Sequence, residues 1–308
     1  MRNEQAVAQT LTIVTPTYDR ATTLPRLYDS LVAQTDRRFT WIVVDDGSTD
    51  DTEQIVQGFA AQRRLDVTYV KQANGGKHTA LNAGISRAAS EATMIVDSDD
   101  WLTPDAVECV LARWPIVVEH GLAGITFLKG YSGTDVLGDA FLRDETIQDP
   151  KDVYFNKAGW FQATTGDKAE VFDTQLLKQT PFPVVPGERF MTEGVVWKQL
   201  WANHNMLFVN RIIYVAEYLP GGLTMSGRRL LIRNPRGAML NARLAMTRGY
   251  APHVRLRNAL LYTAYGYYAG KRPAEAVQDS GHVALACATA LPGWLLFRLW
   301  RHRYGARP

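Results

Sequence analysis

Asp97, Asp99 and Asp100 follow the apolar run Met94-Ile95-Val96, with Trp101 directly after them. Two carboxylates one residue apart, on chain that has just left a strand, can converge on one divalent cation. Hard cations such as Mg²⁺ and Mn²⁺ take oxygen ligands and share them with substrate phosphates. An acidic turn capping the next helix is the plain alternative for an Asp-x-Asp alone. Three other polar clusters also trail apolar runs: Thr15 to Arg20, Asp45 to Asp50, and Asn74 to His78. If one sheet edge gathers all four, the acidic stretch has company.

The elements that must position these clusters are legible. Leu11 to Thr15, Phe39 to Val44, Val67 to Val70 and Ala92 to Val96 read as strands. Apolar residues at helical spacing fill Thr22 to Ala33, a helix capped by Asp50 or Asp51 runs to Gln62, and another runs from Asn74 through Ala88. Thr103-Pro104 reads as a cap and first helical residue. Strand alternating with helix predicts βαβ units and a parallel sheet with helices on both faces, whose ligand crevice lies outside the carboxyl ends of the strands. Further on, Gly124 to Lys129, Gly166 to Phe172 and Leu207 to Ala216 read as strands, and Thr174 to Gln179 and Val195 to Ala202 as helices, with Thr192 a cap for the second. Pro181 to Gly187 is extended, and Gly221 to Thr224 is a turn.

At 308 residues the chain can bury a large core, and Cys109 and Cys287, far apart, exclude a disulfide framework or a cysteine zinc site. Met1 to Thr10 is polar and lacks the apolar core of a signal peptide, which predicts a cytoplasmic protein. The net charge of +3 hides an asymmetry. Arg228 to Pro308 holds 14 Lys and Arg against Glu275 and Asp279, while the remainder holds 20 basic and 29 acidic residues. Val283 to Phe297 is uncharged, but Pro292-Gly293 interrupts it and it falls short of the ~20 residues that span a bilayer. Trp294, Phe297 and Trp300 alternate with Arg298, Arg301 and Arg303, which suits a helix lying on an anionic membrane surface. A terminal helix docked on its own domain is the alternative. No nucleic-acid-binding motif accompanies the arginines.

Several chemistries are absent. No Gly-x-Gly-x-x-Gly follows the first strand, Asn74-Gly75-Gly76-Lys77 lacks the spacing of a Walker loop, and there is no nucleophile elbow. What is present resembles the family 2 glycosyltransferases of GT-A fold: Thr15-Pro16-Thr17-Tyr18, Val43-Val44-Asp45-Asp46-Gly47-Ser48, Asn74-Gly75-Gly76-Lys77 with Leu81-Asn82-Ala83-Gly84, and Asp97-Ser98-Asp99-Asp100. These agree in order and spacing from Leu11 to Leu111. A looser likeness to a bacterial polysaccharide-biosynthesis branch reaches Thr224.

The resemblance implies a GT-A domain over 1–225, with a Rossmann-like, mostly parallel sheet flanked by helices. Its donor half is 1–118 and its acceptor half 119–225, and a basic helical extension occupies 226–308. It also implies inverting transfer from a nucleotide diphosphate donor, commonly a UDP-sugar, to a hydroxyl of a glycan or lipid-linked sugar at the inner face of the plasma membrane. Asp99 and Asp97 would hold Mn²⁺ or Mg²⁺. Asp97 alternatively bonds the ribose, and Asp100 is a turn cap. Asp46, with Asp45, would bind the base between Pro16 and Tyr18, and Ser98 and Lys77 would line the diphosphate. Inversion needs a base opposite the leaving group. The family's acidic pair reads Glu193-Gly194 here, so Glu193 alone is carried over, with Glu188 the runner-up; Asp167 and Trp197 are candidates for the acceptor wall. A nucleotidyltransferase, or an inactive sugar-nucleotide or glycan-binding protein, are the competing expectations.

Overall fold

Between Leu11 and His120 strands and helices alternate as β1 (Leu11–Thr17), α1 (Leu24–Val32), β2 (Phe39–Asp45), α2 (Thr52–Ala61), β3 (Val67–Lys71), α3 (Lys77–Arg87), β4 (Ala92–Ile95), β5 (Trp101–Leu102) and α4 (Ala106–His120). They belong to a computed structural model that describes residues 10–156, 164–217 and 223–305. Then come β6 (Gly124–Gly130), β7 (Thr146–Gln148), a π-helical turn at Asp152–Asn156, β8 (Lys168–Asp173), α5 (Thr174–Gln179), α6 (Gly194–Leu200) and β9 (Met206–Val215). Five helices close the described chain: α7 (Leu223–Arg233), α8 (Pro235–Leu244), α9 (Pro252–Tyr268), α10 (Pro273–Asp279) and α11 (Val283–Tyr304).

The nine strands among the described residues form one sheet, ordered β3-β2-β1-β4-β8-β6-β9-β5, with β7 also on β9. The first four are mutually parallel, β8 is inserted antiparallel, and β6 and β9 resume the original direction. The expected mostly parallel sheet is therefore present, with antiparallel strands confined to its second half.

Residue parity decides which face each side chain serves, since successive side chains alternate across a strand. Leu11, Ile13, Trp41, Val43, Ile125, Phe127, Leu207 and Val209 enter the core under α1, α2 and α4. Val14, Leu128, Met206 and Phe208 enter the opposite core, with Leu81 of α3, Leu177 of α5 and Trp197 of α6. Trp197 is 7% exposed and its ring lies 4.3 Å from that of Phe172, so it is core and does not line an acceptor site.

Helix starts differ from expectation where side chains found other partners. α4 begins after Asp105, because the Thr103 hydroxyl donates to Asp105 and its N–H to the Ile213 carbonyl. α6 begins after Glu193 and not after Thr192. The turn expected at Gly221 to Thr224 lies partly outside the described residues.

Helices α7 to α11 build a core of their own around Met239, Met246, Tyr262, Tyr265 and Trp300. The expected break at Pro292 does not occur: α11 is one helix of 22 residues, long and apolar enough to cross a bilayer. A proline inside a helix frees a carbonyl and clashes with the turn before it. Here α9 supplies donors to that turn, Thr263 Oγ1 to the Thr289 carbonyl at 3.0 Å and Tyr267 Oη to the Ala290 carbonyl at 2.9 Å. Gly293 permits the approach, because a Cβ there would fall 2.0 Å from Thr263 Oγ1. One face of α11 thus docks on α9, while Leu291, Leu295 and Leu299 on the other remain exposed.

Candidate active site

Parallel register brings the carboxyl ends of β1, β2 and β4 to one edge. The Asp46 N–H donates to the Thr17 carbonyl at 2.8 Å and the Val96 N–H to that of Val14 at 3.0 Å. The loops after them are stitched together: Asp19 accepts from the Thr49 N–H at 2.8 Å, and the Ser48 hydroxyl accepts from the Asp19 N–H at 2.9 Å. Pro16 is buried at the end of β1, and Tyr18, 47% exposed, stands open beside it.

Asp45 and Asp46 hold the edge in shape. Asp45 is fully buried and accepts from the Ser48 N–H at 2.7 Å and the Tyr69 hydroxyl at 2.6 Å. Asp46 accepts from the Gly75 and Gly76 N–H groups at 2.9 and 2.7 Å and from the Gln72 amide at 2.8 Å. Its carboxylate therefore folds the Asn74-to-Lys77 loop and starts α3. Gly76 has φ +95°, and a Cβ there would meet the Arg189 carbonyl at 2.0 Å, so only glycine lets this loop lie against the backbone at Arg189. Asn82 draws the same two parts together, exchanging both of its amide hydrogen bonds with the Phe182 backbone at 2.8 Å.

The acidic stretch after β4 is anchored from β9. Tyr214 Oη accepts from the Asp97 N–H at 3.0 Å and donates to Asp100 Oδ2 at 2.6 Å, while Asp100 Oδ1 accepts from the Glu217 N–H at 2.9 Å. Asp100 is the turn anchor, 6% exposed, and burial with the nearby Asp97 charge pushes its carboxyl up to about 6. Ser98 is buried within the turn. Arg26 ties the turn from outside, bonding the Asp99 carbonyl and Glu217 and covering the Trp101 ring at 4.1 Å.

Asp97 and Asp99 face cations. Lys77 Nζ lies 2.6 Å from Asp97 Oδ1, and Arg20 lies 3.6 Å from Asp99 Oδ2. Burial would raise the Asp97 carboxyl, but Lys77, Lys129 and Arg20 together hold it below its ordinary value. Asp99 goes the other way, raised by burial and by the charge of Asp97. Such mutual repulsion is what a cation between two carboxylates relieves.

Lys77 Nζ also lies 2.9 Å from Glu193 Oε1. Burial opposes the ammonium, yet the two carboxylates hold its pKa well above the ordinary lysine value. Glu193 precedes the first residue of α6 and is a third exposed. Glu188 serves elsewhere. It is 9% exposed and accepts from the Arg236 and Gly237 N–H groups at 2.8 Å each, which caps α8. Both of its oxygens are engaged in holding that helix start, a structural place that argues against the runner-up reading. Asp167 is exposed at the start of β8.

Sequence reasoning missed Lys129 and Glu170. Lys129 on β6 stands over the Tyr214 ring at 4.0 Å and helps hold Asp97 ionised. Glu170 on β8 is pushed up to about 8 by burial, with Glu193 and Asp167 adding to it and Lys129 opposing. Both lie on ordinary strand alternation, where nothing in the local sequence marks a site.

A mostly parallel sheet flanked by helices, with carboxylates gathered at the carboxyl edge of its parallel half, is the GT-A fold. Residues 12–115, about a third of the chain, match the family profile described as Glycosyl transferase family 2. Glycosyltransferase GlyA of Streptococcus pneumoniae serotype 4 is 29% identical over 227 residues, covering 70% of this chain and 31% of GlyA. The poly(ribitol-phosphate) β-N-acetylglucosaminyltransferase TarS of Staphylococcus aureus is 30% identical over 126 residues, 40% of this chain and 22% of TarS. The chain thus spans less than a third of the length of these relatives. Among solved structures, S. aureus TarS 1–349 in complex with UDP matches with a TM-score of 0.60 at 15% identity, covering 96% of this chain and 92% of that one. The mannosyltransferase PcManGT of Pyrobaculum calidifontis, in complex with GDP-Man and Mn²⁺, matches with a TM-score of 0.56 at 19% identity, over 98% and 86%.

Proposed function

We propose that the protein transfers a sugar from a nucleoside diphosphate, UDP by preference, to a hydroxyl of a growing surface glycan or lipid-linked sugar, with inversion. The observation that carries this is Lys77, whose one ammonium bonds both Asp97 and Glu193. A carboxylate on the donor side and an acid on the facing helix therefore meet on one cation. The solved relatives hold UDP-GlcNAc, UDP and GDP-Man, which supports a nucleotide-sugar donor.

Pro16 and Tyr18 flank the base, with Asp45 and Asp46 shaping the pocket beneath it. Asp97 and Asp99 offer hard oxygen donors suited to Mg²⁺ or Mn²⁺. Among the described residues no third carboxylate, imidazole or thiolate joins them, which leaves the rest of a shell to phosphate and water. When bound, the cation offsets charge on the leaving diphosphate. Lys77 then exchanges a carboxylate for a diphosphate oxygen, and Ser98 lies beside it. Freed from Lys77, Glu193 takes the proton of the acceptor hydroxyl as that oxygen bonds the anomeric carbon and the phosphate oxygen departs with its electron pair.

The outer face of α11 carries Leu291, Trp294, Leu295 and Leu299 beside Arg298, Arg301 and Arg303, which supports attachment to the anionic inner surface of the plasma membrane from the cytoplasmic side. A thermal-shift series with UDP-, GDP- and dTDP-sugars, with and without Mn²⁺, tests the donor reading. Stabilisation by a UDP-sugar that grows with its concentration is expected; indifference to all three nucleotides would overturn it.

A further inference from the structure

Gly194 stands where the family resemblance calls for a second acid, and the space beyond it is filled. A Cβ on Gly194 would lie 3.1 Å from Lys198 Nζ and 3.2 Å from Asn241 Oδ1. Lys198, on α6, donates to Asn241 of α8 at 2.5 Å and has the Phe155 ring 5.6 Å from its ammonium. Arg257 of α9 adds its positive charge nearby. Neither cation makes an ion pair among the described residues. The segment 157–163, next to Phe155, contains no Asp or Glu.

This arrangement is costly as it stands. Burial first, and Arg257 second, bring the Lys198 ammonium down to about 8. The Glu193 carboxylate does not answer it, being turned to Lys77. Lys198 has two further N–H donors beyond the one given to Asn241, and the Asn241 amide N–H₂ has no partner among the described residues. A half-buried cation without a counter-ion gains most from an anion that brings one. Gly194 has no side chain to serve as that counter-ion, and Lys198 and Asn241 stand where one would begin.

We propose that Lys198 and Asn241, with the charge of Arg257 nearby, form an anion subsite on the acceptor side, and that the acceptor carries a phosphate or carboxylate group near the hydroxyl that receives the sugar. The inference rests on the reading that Glu193 marks that side. Lys198 and Asn241 are specificity-determining here and take no part in moving the proton.

The test is calorimetric titration of the full chain, saturated with UDP and Mg²⁺, with glucose 6-phosphate, glucuronate and glucose. At least one anionic sugar should bind about tenfold more tightly than glucose, as a charge-assisted pair provides. Lys198→Met should remove that preference and leave UDP affinity intact, and Lys198→Arg should keep part of it. Equal binding of glucose and both anions, or a preference that survives Lys198→Met, overturns the subsite. Should wild-type protein fail to bind UDP, the donor reading is lost, while the same titrations without UDP still decide the subsite. Should Lys198→Met lose UDP binding through misfolding, the exposed Arg257→Met carries the same comparison.

Discussion

The Lys77 ammonium stands 2.9 Å from Glu193 and 2.6 Å from Asp97, joining the loop after β4 to the start of α6. Two carboxylates, each about a third exposed and sharing one cation, form a balanced set, and removing any member leaves the others with altered charge. On the proposed reading, Glu193 is released from Lys77 when a more anionic group claims the lysine.

Glu193→Gln keeps the shape and the hydrogen bond to Lys77 but cannot accept a proton. Transfer should fall by about a hundred- to ten-thousandfold in kcat with donor affinity unchanged. Steady-state kinetics beside UDP calorimetry check it, and transfer at near wild-type rate would put the base elsewhere. Lys77→Met should show the other pattern, weakening UDP binding by roughly tenfold or more.

Asp99→Ala removes one of the two proposed metal ligands and the repulsion between Asp97 and Asp99. UDP binding in Mn²⁺ should weaken by roughly tenfold or more and lose its dependence on the metal. Calorimetry with and without chelator reads both, and undiminished metal-dependent binding would remove Asp99 from the site.

Much of this was legible in the sequence, for reasons that can be named. Four polar clusters each trailed an apolar run, and parallel pairing leaves such clusters no choice but a common edge. The inner partnerships were not legible. That Asp46 bonds Gly75 and Gly76, or that Tyr214 bridges Asp97 and Asp100, depends on register between strands far apart in the chain. Glu188 and Glu193 look alike on paper; only the fold gives one of them a helix to cap. Pro292 read as a break because the hydroxyls that bond the turn before it, on Thr263 and Tyr267, belong to another helix.

Glu188→Ala strips two buried N–H groups at the start of α8 of their acceptor. Stability should drop by about 1–3 kcal/mol, with Glu188→Gln, which keeps one oxygen acceptor, in between. Denaturant unfolding measures this. Turnover per folded molecule of Glu188→Gln should equal wild type, which a catalytic role would forbid.

Glu170 links stability to pH. Its folded pKa, about 8, lies above the ordinary 4.5, so the folded state holds a proton that the unfolded chain has lost. Stability from this group is therefore full below about pH 4.5 and declines as pH rises towards 8. Glu170→Gln is neutral throughout and should melt at a higher temperature than wild type at pH 9, with little difference at pH 5. Melting curves at both values decide it, and a constant offset would contradict the buried-acid account.

The membrane reading needs a sharper test than truncation. Removing α11 would bare Ala264, Tyr265 and Tyr268 of α9 along with the docked Trp300 contact, so a truncated protein could pellet through aggregation alone. Arg298, Arg301 and Arg303 change the outer face only. Reversing all three to Glu should leave the melting temperature near wild type and reduce co-sedimentation with phosphatidylglycerol-containing vesicles by roughly tenfold or more, since each basic residue near such a surface contributes about 1 kcal/mol. Leu291→Ser with Leu295→Ser should reduce it as well, because an interfacial helix needs buried apolar area in addition to charge. Raising salt should weaken the wild type and spare the remnant binding of the reversed variant. If wild-type protein stays in the supernatant at low salt, or if charge reversal leaves the pellet unchanged, the outer face of α11 has some other use.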